Sequence, residues 1–127
     1  MNEAHFLAYA TQGDHFLAVG AVKRPRENYK SDVARKSEHD ITDYAAELGW
    51  IYVTPEARGI GLGSRISKAL CDSYEGAMFA TTRTDNQDMH GIVKKLGFRA
   101  VGKPYESAEH VGKKIQLWVL PRRANAP

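Results

Sequence analysis

The stretch that most constrains the fold lies mid-chain, where strand-like spacing of apolar residues gives way to helical spacing across a glycine-rich turn. Residues 45–53 are dense in apolar side chains on both faces, which is typical of a central strand. Glycines follow Pro55, and apolar residues then recur at helical spacing from Leu62. Gly76 is expected to close this helix before an apolar run at 77–82. The order predicts two strands of one sheet joined by a helical crossover.

The N-terminal part of the chain is predicted to form a β-hairpin. Residues 6–10 and 16–22 are β-prone runs separated by turn formers. In the polar segment that follows, residues 31–38 can form a short helix with Val33 and Ala34 facing inward.

A second helix and two more strands are predicted after the crossover unit. Asp85 or Asn86 can cap this helix, and Gly97 is placed to end it. Its apolar stripe is formed by Met89, Ile92, Val93 and Leu96. Residues 98–101 predict a strand, 102–113 a polar loop, and a final half-buried strand has three residues facing inward, Ile115, Leu117 and Val119. The fold class is therefore α+β, with a mixed, mostly antiparallel sheet flanked by helices.

Size and composition predict one globular domain. With 127 residues, of which 43% are hydrophobic, the chain fits a single domain over 1–121 and a flexible tail over 122–127. It has neither a basic region before an apolar stretch at the N-terminus nor an apolar run of the roughly 18 residues that span a bilayer, so we expect a soluble cytoplasmic protein without a membrane partner. The one cysteine, Cys71, is expected to pack in the core, and the Cys/His spacing predicts no metal site.

The glycine-rich turn has the properties of a phosphate site. It leaves a strand and opens a helix, where unpaired N–H groups and the positive helix end attract anions. Gly59, Gly61 and Gly63 fall at every second residue, which excludes a dinucleotide fingerprint, because that motif needs its third glycine at Ser64. A P-loop is excluded as well, because the Gly-Lys-Ser/Thr ending is missing. The alternative is a strand-to-helix turn that binds nothing.

Two motifs in this region resemble those of the Gcn5-related N-acetyltransferase (GNAT) family. Arg58-x-x-Gly-x-Gly, after a strand ending at 53–56, is similar to the family's glycine loop. The run at 82–86, followed by Lys-Leu-Gly-Phe at 95–98, resembles its next strand, its Asn-starting helix and the helix ending. The likeness covers roughly Ala45 to Val101.

The resemblance implies acetyl-CoA as the coenzyme, held in a V-shaped opening between two central strands. The pantetheine arm would then contact the backbone of Ile51, Tyr52 and Val53. The pyrophosphate would lie on the loop, against Arg58, Gly59, Ile60, Gly61, Leu62, Gly63 and Ser64. Asn86 would lie near the pantetheine or thiol end. Lys94 and Lys95 are weaker candidates for the coenzyme phosphates, since lysines on an outer helix face are usually solvated.

Glu47 is the candidate general base. An acceptor amine with a pKa near about 10.4 must lose a proton before it attacks a thioester, and a carboxylate with a raised pKa can take it. Glu47 lies in an apolar strand eleven residues before Arg58, where histone-acetyltransferase-type members of the family carry their glutamate. The alternative is a structural, salt-bridged glutamate. A backbone N–H near the splayed end of this strand should stabilise the thioester oxygen.

The chain departs from the family pattern in two places. Many members have a tyrosine four residues before the glycine of Leu-Gly-Phe, where this chain has Val93, so Tyr29, Tyr44 and Tyr105 are the remaining candidates to protonate the thiolate. Typical members also have a strand and two helices before the hairpin, for which this chain has no room. The helix after Pro25, or a second subunit in a homodimer, would have to supply that wall of the acceptor pocket.

Three functions remain open from the sequence. The first is an N-acetyltransferase that acts on a primary amine of a small molecule or protein. The second is a non-catalytic acyl-CoA-binding sensor or interaction module. The third, the least supported, is a nucleic-acid-directed modifier that uses a basic segment at 23–36, in which the only aromatic residue is Tyr29. Its basic residues are Lys23, Arg24, Arg26, Lys30, Arg35 and Lys36.

Overall fold

The computed structural model describes residues 3–121, which form one mixed six-stranded sheet, three α-helices and a short 3-10 turn. The strands are β1 (Glu3–Gln12), β2 (His15–Arg24), β3 (Ala46–Val53), β4 (Met78–Arg83), β5 (Arg99–Glu106) and β6 (Lys114–Leu120). The helices are α1 (Glu27–Ser37), α2 (Leu62–Asp72) and α3 (Gln87–Lys95), with the 3-10 turn at Pro55–Ala57. Residues 122–127, predicted as a flexible tail, lie outside the described residues. None of the three described helices is long and apolar enough to cross a membrane.

The sheet splits at its centre. The strand order is β1-β2-β3-β4-β6-β5, and β3 with β4 is the parallel pair of the described sheet, joined by the α2 crossover. The two strands pair only at Ala46 with Met78 and at Glu47 with Phe79. Beyond Glu47 they separate, while β3 continues to pair with β2 as far as Val53. The sheet is therefore mixed and mostly antiparallel, as predicted, with an opening between its central strands.

Two cores hold the sheet, one on each face. The larger core packs α2 and α3 against one face, with Leu70 and Val93 from the helices and Met78 from β4. The smaller core lies under α1 on the opposite face, where Val33 contacts residues such as Phe79. Because successive strand residues point to opposite faces, β4 is covered by α2 and α3 on one side and by α1 on the other.

Two helix predictions need correction. Helix α1 begins at Glu27, not at residue 31, because extended backbone at Arg26 precedes it and its first turns contribute buried side chains. Helix α2 ends at Asp72 rather than at Gly76: the Ser73 amide donates to the Ala69 carbonyl, and the Ser73 hydroxyl donates to the same oxygen. The predicted hairpin is confirmed, with its turn at residues 13–14.

The C-terminal hairpin differs more from its prediction. Strand β5 continues to Glu106 through residues expected to be loop, and a register shift between Val101 and Tyr105 accommodates Pro104. Strand β6 is not half-buried, because both of its faces are covered: Trp118 lies in the larger core, and Leu117 and Val119 lie in the smaller one. Trp118 is therefore buried, and its indole N–H donates to the Thr82 hydroxyl at 2.9 Å.

Candidate active site

A cleft of about 510 Å³ opens where β3 separates from β4. Its walls come from the end of β3, the glycine loop (residues 58–63), the start of α2 and the start of α3. Its lining residues are Ile51, Tyr52, Val53, Ala57, Arg58, Gly59, Gly61, Leu62, Gly63, Ser64, Asn86, Asp88, Met89 and Ile92. All the residues predicted to contact the coenzyme line it except Ile60, whose side chain is 67% exposed.

The glycine loop depends on backbone that other residues rarely adopt. Gly59 has a φ of 88° and Gly61 a φ of 85°, both in the left-handed region, and Gly61 is the N-cap of α2 without a side-chain cap. A Cβ at Gly63 would lie 3.3 Å from the Ile92 side chain, so this glycine lets α2 and α3 approach each other. The first-turn amides of α2 have no intrahelical partner and open onto the cleft, which suits an anion.

Arg58 and Asn86 both border the cleft. The Arg58 Nε donates to the Val53 carbonyl at 3.0 Å, and its guanidinium lies 5.9 Å from the Tyr52 ring centre, which ties the loop to the end of β3. Asn86, one of the two residues predicted to cap α3, is its N-cap, because its Oδ1 accepts the Met89 N–H at 3.2 Å. The cap uses Oδ1, so the side-chain NH₂ group is the part of Asn86 that can donate into the cleft.

Several cleft residues differ from the sequence interpretation. Met89 and Ile92, two residues of the predicted apolar stripe, line the cleft, and Met89 also packs against the larger core. Asp88 lines it as well and was not singled out. The exposed Lys94 and Lys95 do not line it. Lys94 instead borders a separate hollow of about 460 Å³, which also contains His90 and Trp118.

Glu47 lies inside a polar cluster beside this opening. It is 2% exposed and occupies the last residue pair before β3 and β4 separate. Its Oε2 accepts the Tyr29 hydroxyl at 2.9 Å and the Thr81 hydroxyl at 3.5 Å. The Lys23 ammonium lies 3.4 Å from Oε1, an ion pair in which Oε1 accepts no directed hydrogen bond. These four residues, the Glu47 cluster, come from β3, α1, β4 and β2.

Backbone geometry allows Lys23 to reach Glu47. The two residues face each other in the β2–β3 register. A Cβ at Gly49 would lie 2.8 Å from the Lys23 side chain, so glycine leaves a path for it. Trp50 follows with a φ of 56°, where a register shift adds a residue to β3, and the Lys23 ammonium lies 5.1 Å from its ring centre.

Burial and neighbouring charge act in opposite directions on Glu47. Burial raises the pKa of its carboxyl, and the Lys23 ammonium, then the Tyr29 and Thr81 hydroxyls, oppose that rise. Burial and the nearby Glu47 carboxylate raise the pKa of Tyr29 far above its usual range. Burial also raises the pKa of Tyr105, to about 12. Both phenols are therefore protonated donors near neutral pH.

The comparisons with known proteins identify the family. The model of the acetyltransferase (GNAT) family matches residues 1–98. The chain belongs to the GNAT family. No curated protein matches it significantly.

Solved structures have the same GNAT fold. The structure of yncA from Salmonella typhimurium with its cofactor acetyl-CoA aligns with a TM-score of 0.69 at 17% identity, over 95% of this chain and 66% of that one. The ribosomal-protein-S18-alanine N-acetyltransferase of Escherichia coli aligns with a TM-score of 0.62 at 18% identity, over 93% of this chain and 72% of that one. A Bacillus subtilis acetyltransferase in complex with CoA aligns with a TM-score of 0.62 at 12% identity, over 91% of this chain and 75% of that one. Identities this low show the fold.

The tyrosines proposed as substitutes at the GNAT proton-donor position lie elsewhere. Val93 itself is fully buried in the larger core. Tyr29 bonds to Glu47, Tyr44 packs on the smaller core, and Tyr105 is half-buried on β5. None of the three lines the cleft.

Several cations in the basic segment of this GNAT chain have partners within the protein. Lys23 is buried beside Glu47, and the buried Lys30 ammonium donates to the Thr42 carbonyl at 3.4 Å. Arg35 and Lys36 both pair with Asp32 on α1.

Proposed function

We propose that the chain transfers an acetyl group from acetyl-CoA to a primary amine, by direct attack of the amine in a ternary complex. One observation carries the proposal. The glycine loop at the start of α2 and a buried carboxylate with one oxygen that accepts no hydrogen bond lie on either side of the point where β3 and β4 separate. Family membership supports acetyl transfer.

The cleft residues fit the coenzyme on structural grounds. Amides of residues 59–64 would hold the pyrophosphate, since a Cβ at Gly59 or Gly61 would occupy open space beside them. The edge of β3 at residues 51–53 has no strand partner on its β4 side, so its backbone groups would bind the pantetheine arm. The Asn86 NH₂ group would donate near the thiol end. Acetyl-CoA would supply a thioester, whose carbonyl carbon the amine attacks.

Glu47 would accept the proton of the amine. Burial makes its carboxylate a stronger base than an exposed glutamate, while Lys23 favours the ionised form that can accept a proton. A backbone N–H on the open edge of β3 beyond Glu47 would stabilise negative charge on the thioester oxygen. A thiol with a pKa near about 8.5 can leave without a dedicated acid, which agrees with Val93 at the tyrosine position.

A non-catalytic acyl-CoA-binding module is the second candidate. The observation that favours it is the Lys23–Glu47 ion pair, which can be purely structural in a buried site. In that case the cleft would bind the coenzyme and report its level to a partner.

Thiol release separates the two functions. Purified protein with acetyl-CoA is screened against small-molecule amines and peptides with free N-termini, and calorimetry measures coenzyme binding independently. Release that depends on an amine supports the transferase. Binding without release for any amine supports the sensor, and the absence of both contradicts the assignment of the cleft.

A further inference from the structure

The two oxygens of the Glu47 carboxylate have different surroundings. Oε2 accepts two hydroxyls, from Tyr29 at 2.9 Å and from Thr81 at 3.5 Å. Oε1 accepts no hydrogen bond although it is buried, and its polar neighbour is the Lys23 ammonium at 3.4 Å. Oε1 is therefore ion-paired but accepts no directed hydrogen bond, so it is the carboxylate oxygen with a lone pair left to accept a proton.

We propose that Tyr29 is a positioning residue that holds Glu47 by Oε2 and thereby makes Oε1 the oxygen that takes the proton of the acceptor amine. The inference rests on the proposed function, in which Glu47 is the base. The amine nitrogen keeps the electron pair of its N–H bond, a new O–H bond forms at Oε1, directly or through one water, and Lys23 stays protonated.

The phenol of Tyr29 is held in place by a ring contact with Phe79 and by the packing of its helix. Its ring stacks on Phe79 of β4, with centroids 6.5 Å apart and planes inclined by 30°. Its helix is fixed by Val33 in the smaller core. Because its pKa is raised, the hydroxyl remains a donor throughout the working pH range, and donation to Oε2 favours the ionised carboxylate.

Every element packed around Glu47 contributes a group to this balance. Lys23 faces it from β2, Tyr29 from α1 and Thr81 from β4, while Tyr105 on β5 interacts with it at longer range. Loss of the Tyr29 hydroxyl removes a stabilising contact of the carboxylate and leaves the Lys23 ion pair. The pKa of Glu47 should therefore rise.

The variant Tyr29→Phe tests this with two readouts. In a ¹³C NMR titration of the coenzyme-free variant, the midpoint for the Glu47 carboxyl should lie at higher pH than in the wild type. The acid limb of kcat/KM for any amine that the wild type accepts should move with it. We expect kcat/KM to fall about tenfold below that limb and to approach the wild-type value above it, the scale of one hydrogen bond to a charged group.

Tyr44→Phe is the matched control, because Tyr44 packs on the same smaller core and should leave both readouts unchanged. An unmoved Glu47 titration in Tyr29→Phe, or a kcat/KM lowered by one factor at every pH, would overturn the positioning role and leave the proposed function standing. Absence of turnover in the wild type would instead remove the proposed function and the positioning role with it, whatever the titration shows.

Discussion

The two halves of the candidate site are built in different ways. The cleft depends mainly on one continuous run of backbone, the end of β3, the glycine loop and the first turn of α2. The Glu47 cluster depends on side chains from β2, α1, β3 and β4, which lie as much as 58 residues apart, from Lys23 to Thr81. A site made of backbone tolerates side-chain changes, whereas a site made of converging side chains can be altered by removing a single atom.

The strongest test of this contrast is Glu47→Gln. The change keeps the shape but removes the proton acceptor, so turnover should fall about 10²-fold or more near neutral pH while coenzyme affinity is nearly unchanged. Activity should recover partly as pH rises, because more of the amine is already deprotonated. Steady-state kinetics and calorimetry measure the two effects. Glu56→Gln, at an exposed glutamate near the loop, is the control; wild-type turnover in Glu47→Gln would make Glu47 structural.

Gly61→Asp should produce the opposite pattern. Its carboxylate would point into the cleft where an anion is proposed, so the affinity for acetyl-CoA should weaken at least about tenfold. The φ of 85° at this position adds backbone strain for any residue with a side chain. Gly112→Asp is the control for that strain, because Gly112 has a φ of 81° and equally open surroundings. Calorimetry on both variants separates charge from strain. Equal affinities in folded Gly61→Asp and wild type would remove the coenzyme assignment.

Gly20→Ala should have the smallest effect and act on stability. Its Cβ would lie 2.5 Å from the Ile51 side chain, with Ile66 and Leu70 of α2 also within 3 Å. These are movable side-chain ends, so we expect a loss of about 1 kcal/mol, at the low end for overpacking. Urea unfolding measures it. Gly91→Ala, in open space on α3, should instead stabilise by up to about 1 kcal/mol; equal shifts in both variants would refute the packing argument.

The sequence predicted best what depends on local pattern. The strand, turn and helix around the glycine loop, the Asn86 cap and the N-terminal hairpin follow from spacing, capping and turn chemistry over a few residues. The role of Trp118 could not be predicted that way, because the alternation in β6 does not reveal that both faces of this strand are covered.

The partners of Glu47 were harder to predict for the same reason. A carboxylate in an apolar strand signals a special environment, but the sequence does not tell which helix covers it. Pairing β2 with β3 antiparallel could have brought Lys23 opposite Glu47. No local pattern linked Tyr29 to Glu47, because that contact depends on how α1 crosses the sheet.

The short ladder between β3 and β4 also affects local opening of the sheet. Two residue pairs join the β1-β2-β3 half of the sheet to the β4-β6-β5 half. The segment that contains α2 connects β3 to β4 along the chain. A ligand bound in the opening would contact both halves of the sheet and reversibly stabilise their association. Amide hydrogen exchange should then be fast in the coenzyme-free protein for those N–H groups of residues 51–53 that do not pair with β2. It should slow sharply once acetyl-CoA is added, while exchange in the β1–β2 hairpin changes little.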